Sequence, residues 1–210
     1  MQHLVVVAHP SAESFTMAVT RVYVGELARL GHQVITWDLY RSGFNPVLAA
    51  HELAAGHPGF VAADADVGTA QRLIRHSDVL TVIYPLWWLS MPAILKGYID
   101  RVFARGFAYQ ARGGVVEGLL GGKSCVLITL SGAPLPMLME RGRWNAVQVL
   151  QDGHIFRSAG FGLLEHLHLD RIEPQLPMGL ADEHFERVRS CAVRHFSGSD
   201  APGAAMGSNP

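Results

Sequence analysis

The sequence predicts an α/β fold, a parallel sheet covered by helices on both faces. Three observations carry this. Five apolar runs are continuous rather than alternating, which suits strands buried on both sides. Between them lie segments whose apolar residues recur at helical spacing. The runs end abruptly in short loops rich in proline, glycine and hydroxyl residues, the punctuation of strand-to-helix turns.

The elements follow in order. "HLVVVAH" (3–9) is a β-branched strand that stops at Pro10. Ser11 and Ser14 can cap the next segment, a helix from Phe15 to Leu30 with Gly31 in the C′ position. "HQVITWDLY" (32–40) completes a βαβ unit. Residues 41–66 are irregular, with one short helix near Ala49 to Ala54, and 67–76 form a helix. "DVLTVIY" (78–84) is the third strand and Pro92 to Arg105 the helix after it. "GGVVEGLLGG" (113–122) reads as a flexible connection and "KSCVLITL" (123–130) as the fourth strand. Residues 137–157 are helical in part, "FGLLEHLHL" (161–169) is the fifth strand, and 181–197 an amphipathic helix. The expected organisation is one domain over 1–197 and a disordered tail of low complexity over 198–210.

Composition narrows the function. The chain has 210 residues, 49% hydrophobic and 17% charged, with a net charge of −1. That leaves no basic footprint for nucleic acid and no polybasic run for anionic lipid. The N-terminal apolar stretch is too short for a secretion signal or a membrane span. Cys125 and Cys191 form neither a disulfide framework nor a metal spacing, so a reducing cytoplasm is expected.

In a doubly wound sheet, ligands bind beyond the carboxyl ends of the strands. Three loops therefore matter: "AHPSAESFT", "PLWWLSMP" and "TLSGAP". The first lacks both glycine-rich phosphate motifs, yet its hydroxyls precede a helix N-terminus, which favours an anion; ordinary capping by Ser14 is the competing reading. In the second, Trp87 and Trp88 sit between Pro85 and Pro92, where they can form a flat apolar slot for a planar ring. In the third, Gly132 lets the backbone approach closely.

These same stretches, with "DLYRSGFNPVL" and above all "YPLWWLSMPAILKGYIDRVFARGFAY", resemble the flavodoxin-like NAD(P)H:quinone reductases and related bacterial oxidoreductases, including ancillary subunits of potassium-efflux systems. The resemblance spans roughly residues 1–170. It implies a flavodoxin-like three-layer sandwich with a five-stranded parallel sheet, a homodimer, and a bound flavin. By resemblance, His9, Ser14, Phe15 and Thr16 hold the phosphate tail. Pro85, Leu86, Trp87, Trp88 and Leu89 run along the isoalloxazine, and Thr129, Leu130, Ser131 and Gly132 lie at its other edge. Tyr109 matches an aromatic residue that reaches into the partner's substrate pocket.

Two departures stand out. Met137 and Arg143 occupy the neighbourhood where the quinone reductases carry a Tyr and a His of the hydride-transfer machinery. The segment that helps hold the adenine half of FAD is shortened, which leaves FMN open beside FAD.

The expected activity is transfer of a hydride from NAD(P)H through bound flavin to a quinone or similar planar acceptor. The Ser131 and Gly132 amides are the candidate donors to the ring, with Arg143 or Arg141 adding positive charge. A regulatory flavodoxin-like ancillary subunit of a membrane transport system shares every motif and is the alternative. His154, His166 and His168 find no carboxylate or cysteine to complete a metal set, so no metal is expected, and dimer contacts or surface positions are expected for them. Asp100 and Arg101 read as a surface or dimer charge pattern. Ile94, Ile99, Val102 and Phe103 read as an apolar face in excess of what the sheet covers.

Overall fold

The computed structural model describes residues 1–54 and 64–198. The elements run β1 (Gln2–Val7), α1 (Phe15–Arg29), β2 (Gln33–Asp38), a 3₁₀ turn (Ala50–Ala54), α2 (Ala65–His76), β3 (Val79–Pro85) and α3 (Ala93–Val102). They continue with β4 (Tyr109–Arg112), β5 (Val115–Gly118), β6 (Ser124–Leu130), α4 (Leu135–Met139), α5 (Arg143–Gln148), a π-helix (Val149–Arg157), β7 (Gly162–Leu169) and α6 (Met178–Phe196). The tail expected to be disordered lies outside the described residues, apart from Gly198.

The sheet is parallel, in the order β2-β1-β3-β6-β7, which makes the flavodoxin-like α/β fold with its five-stranded sheet. One face is filled by Leu4, Val6, Leu80, Val82 and Leu127 against α2, α3 and the π-helix. The other is filled by Val5, Val7, Val126 and Ile128 against α1 and α6. Alternation of consecutive residues between two buried faces is why the central strands β1, β3 and β6 read as unbroken apolar runs.

Helix α1 ends as expected. Gly31 takes a φ of 85°, its N–H reaches Ala28 O, and the His32 N–H reaches Leu27 O, the paired bonds of a Schellman cap. Gly97 serves packing instead, because a Cβ there would lie 2.2 Å from Pro46 O, so α3 can press onto the 45–46 segment only with glycine.

Three expectations need correction. The segment 113–122 is a β-hairpin in part, since β4 and β5 pair antiparallel across Gly113 and Gly114, both at positive φ. Gly-Gly between β-forming residues is a hairpin signal. Arg101 is not a surface charge: it is 2% exposed and bonds Glu52, Asp64, Asp66 and the carbonyl of Asn45. Ile99, Val102 and Phe103 are buried in the chain's own core rather than left as a surplus apolar face.

Candidate functional site

The three loops meet at one rim because β1, β3 and β6 are neighbours. The Ala8 N–H bonds Ile83 O at 3.1 Å, and the Leu86 N–H bonds Leu130 O at 2.7 Å. The rings of His9 and Trp87 stand 6.0 Å apart. Strand order reverses between β1 and β3, which is where an open sheet leaves a crevice.

In the first loop, Ser14 is the N-cap of α1, its hydroxyl accepting the Met17 N–H at 3.3 Å. The Phe15 and Thr16 amides precede the first intrahelical bond and carry the positive end of the helix. Their side chains are engaged elsewhere: Phe15 stacks on Phe185, and Thr16 is buried. His9 Nδ1 lies 3.1 Å from the Ser11 nitrogen and 3.2 Å from the Ser11 carbonyl oxygen, so the ring is tied to Ser11 in either tautomer. Burial first, then the nearby Arg41, hold the His9 pKa below the ordinary histidine value. Arg41, which the sequence did not single out, fixes this loop. It pairs with Asp38 and donates to the carbonyls of His9 and Pro10.

In the second loop, Trp87 and Ser90 exchange both backbone hydrogen bonds, at 3.1 and 3.0 Å. The two residues between them, Trp88 and Leu89, have φ of 54° and 60°. Left-handed backbone is costly for bulky side chains, of order 1–3 kcal/mol each, and such strain clusters at functional sites. Trp88 is 100% exposed, while Pro85 and Leu86 are buried beneath it.

In the third loop, the Ser131 N–H is taken by Leu169 O at 3.0 Å, so it extends the sheet and is not the donor expected of it. The Thr129 side chain is buried and Leu130 accepts from Leu86, so both support the rim from within. Gly132 remains approachable: a Cβ there would meet only Ile172 O, at 3.4 Å.

On the far side of the tryptophan loop lies an open groove of about 830 Å³. It brings together Trp88, Leu89, Tyr109 and Arg143 with Ile99, Phe103 and Leu150. The hairpin holds Tyr109 there, pressed in where Gly118 meets Gly160; a Cβ on Gly118 would lie 2.4 Å from the Gly160 nitrogen. His9, Ser14, Phe15, Thr16, Ser131 and Gly132 do not line this groove. Met137 is exposed on α4.

The feature that sequence reasoning missed is a buried polar chain behind the third loop. Asp152 Oδ1 meets His166 Nδ1 at 2.7 Å, and His166 Nε2 meets Thr129 Oγ1 at 2.8 Å. Thr129 Oγ1 meets His168 Nδ1 at 2.9 Å, and His168 Nε2 meets Ser131 Oγ at 3.0 Å. Ser131 Oγ also donates to Ala133 O at 2.7 Å. Trp144 covers both imidazoles at ring distances of 4.9 and 4.7 Å. Asp152 thus hydrogen-bonds the histidine pair, whose side chains lie inside the chain rather than at its surface, 2% exposed for His166 and with His168 buried.

Two local irregularities build the chain. A register shift of β7 against Cys125/Val126 puts His166 beside Leu127 and His168 beside Thr129. A one-residue shift turns every later side chain to the other face. The π-helix turns Gln151 to Tyr84 and Asp152 to His166, so two successive residues both point inward.

Glu165, Cys191 and His195 form a second cluster between β7 and α6, with His195 Nε2 2.8 Å from Glu165. Burial pushes the Cys191 thiol well up, so it is an unreactive thiol. No helix among the described residues is long and apolar enough to cross a membrane.

Residues 1–190 match the family model described as "Flavodoxin-like fold". An uncharacterized NAD(P)H oxidoreductase of Haemophilus influenzae is 37% identical over 143 residues, covering 68% of this chain and 70% of that protein. Human ribosyldihydronicotinamide dehydrogenase [quinone] is 31% identical over 154 residues, covering 66% of this chain and 67% of that one. Among solved structures, an NAD(P)H:quinone oxidoreductase from Methanothermobacter marburgensis superposes with a TM-score of 0.79 at 26% identity, covering 93% of this chain and 97% of that one.

Proposed function

This chain belongs to the flavodoxin-like fold family, and from that premise we propose that it is a flavin-dependent NAD(P)H oxidoreductase that passes a hydride to a quinone or similar planar acceptor. The observation that carries the reading is the convergence of the loops after β1, β3 and β6 at the crevice, with an exposed, strained Trp88 at its mouth. A flavin bound there would supply the two-electron chemistry.

The residues present fit such a group. The Phe15 and Thr16 amides, at the positive end of α1, would meet a phosphate. Trp87, Trp88 and Leu89 would cover an apolar ring face, and the Gly132 amide would face its polar edge. Arg143 and Tyr109 stand on the groove where a co-substrate would approach. Val116 and Leu150 are exposed at that groove. A homodimer covering this face would bring the Tyr109 of one copy toward the other copy's ring. The proposed setting is the cytoplasm, and the proposed cofactor is FAD or FMN.

The test is direct. The purified protein is expected to be yellow, and mass spectrometry of the released cofactor identifies FMN or FAD. Trp88→Gly relieves left-handed strain, so the flavin-free protein gains about 1 kcal/mol in urea unfolding, while flavin affinity falls several-fold. A colourless protein that takes up neither flavin overturns the reading.

A further inference from the structure

The buried chain behind the third loop has a shortage built into it. Five links join Asp152, His166, Thr129, His168, Ser131 and the carbonyl of Ala133, and each needs one hydrogen. Both ends, an ionised carboxylate and a carbonyl, only accept. Two neutral imidazoles and two hydroxyls carry four hydrogens. Either one link stays open, or the chain holds a fifth proton.

The two states need no heavy atom to move. With four hydrogens, His166 donates to Asp152, Thr129 to His166, His168 to Thr129 and Ser131 to His168, and Ala133 is left without its bond. With five, His166 donates on both sides, Thr129 turns to His168, His168 donates to Ser131, and Ser131 donates to Ala133. The added charge rests on His166 beside Asp152, where it is neutralised. His168 stays neutral in both states. That agrees with its surroundings: burial first, then the neighbouring His166, hold its pKa at about 4. The other charged or titratable groups facing it are Asp170, at the end of β7, and Arg187 and His184, on α6.

We propose that this chain is a proton store, taking up one proton for each hydride that reaches a ring seated on the Ser131–Gly132 loop and releasing it when the acceptor takes the hydride away. The proposal rests on the flavin reading above. A hydride carries two electrons and one proton, whereas reduction of a quinone to a hydroquinone consumes two electrons and two protons. NAD(P)H leaves as NAD(P)⁺ without supplying the second proton, so it comes from water. Both ends of the chain lie close under the surface, Asp152 at 8% and Ser131 at 9% exposed. On release, Ser131 gives up its hydroxyl hydrogen on the loop side. His168 replaces it, Thr129 resupplies His168, and His166 resupplies Thr129. The links fall from five to four on release, the Ser131–Ala133 bond being the one lost, and Asp152 is left paired with a neutral imidazole. Asp152, His166, Thr129 and His168 are positioning residues in this account, acting through Ser131.

The readout is the number of protons taken up per electron pair, from the pH dependence of the bound flavin's midpoint potential near neutral pH. The wild-type holoprotein is expected to take up two. Asp152→Asn removes the charge that neutralises His166, and Thr129→Val cuts the chain at its centre without changing its shape. Both variants are expected to retain flavin and take up one. A wild type that takes up one, or variants that still take up two, overturns the proposal and leaves the flavin reading intact. A wild type that binds no flavin overturns both. Should Asp152→Asn not fold, Thr129→Val decides alone, because it leaves no buried charge unpaired.

Discussion

Two polar clusters are buried on the same side of the sheet, and they are built on opposite principles. Around Arg101 every donor is used: Nε faces Glu52, Nη1 faces Asn45 O and Asp66, and Nη2 faces Asp64 and Asp66. A guanidinium does not titrate in the working range, so this cluster has one state. Around His166 and His168 the links outnumber the hydrogens, so two states are available. A saturated buried network fastens the fold, here α3 to the 3₁₀ turn and the start of α2. One that is short by a proton can exchange it. Burial alone therefore does not separate structural from functional polar groups; the hydrogen count does.

The largest expected effect breaks the saturated cluster. Arg101→Met leaves Glu52, Asp64 and Asp66 facing one another with no cation among them. Loss of one partner from a buried ion network costs about 3–5 kcal/mol. Asp64 and Asp66 are partly exposed, so the lower end, about 3 kcal/mol, is expected from urea unfolding at an unchanged m-value. A loss below about 1 kcal/mol would mean that the cluster fastens nothing.

A smaller effect sharpens the other half of the contrast. Trp144 lies over both histidines and keeps water from them. Trp144→Ala is expected to cost about 2 kcal/mol, less than for a fully buried tryptophan. It also admits water and moves the His168 pKa from about 4 back toward its ordinary value. Titration of the histidine ring signals by NMR checks this. If the His168 pKa stayed at about 4, the charged neighbours rather than burial would be holding it down.

Much of the fold is legible in the sequence, for reasons that differ by residue. The central strands β1, β3 and β6, buried on both faces, read as unbroken apolar runs, and the more exposed edge strands β2 and β7 are found from their β-branched, aromatic and leucine content. Pro85 and Pro92 mark the tryptophan turn, and Gly31 marks the end of α1. The histidine pair is visible at period two, but not which face it takes, because the β7 register shift has no local signature. Asp152 lies 14 positions before His166, in a helix whose π turn cannot be read from apolar spacing. Arg101 reads as a surface charge because its three carboxylates come from two other segments. The hairpin is in plain sight at Gly113-Gly114, but a glycine-rich stretch reads as readily as a flexible link.

The smallest effect uses a third buried histidine as a control. His3 is 1% exposed, and neither ring nitrogen has a hydrogen-bond partner. It lies against Phe196 and His32. Burial first, then His32 and the N-terminus, lower its pKa to about 4, with Asp78 acting in the opposite sense. The unfolded chain, with a histidine pKa near 6.5, therefore binds more protons than the folded one between about pH 4 and pH 6.5. Stability is complete above that window and declines as the pH falls through it. At pH 5 the loss from His3 is about 2 kcal/mol relative to pH 8. His3→Leu removes both the unpartnered nitrogens and this proton linkage. Its stability at pH 8 is expected to lie within about 1 kcal/mol of wild type, because an apolar group replaces an unsatisfied polar one. At pH 5 it should exceed wild type by about 2 kcal/mol. His168 has nearly the same pKa but partners on both nitrogens, so replacing it by leucine should destabilise the protein at pH 8, and by about 2 kcal/mol less at pH 5, where the same proton linkage is removed. If the two substitutions behaved alike, the hydrogen bonds of the chain would count for no more than the burial of its rings.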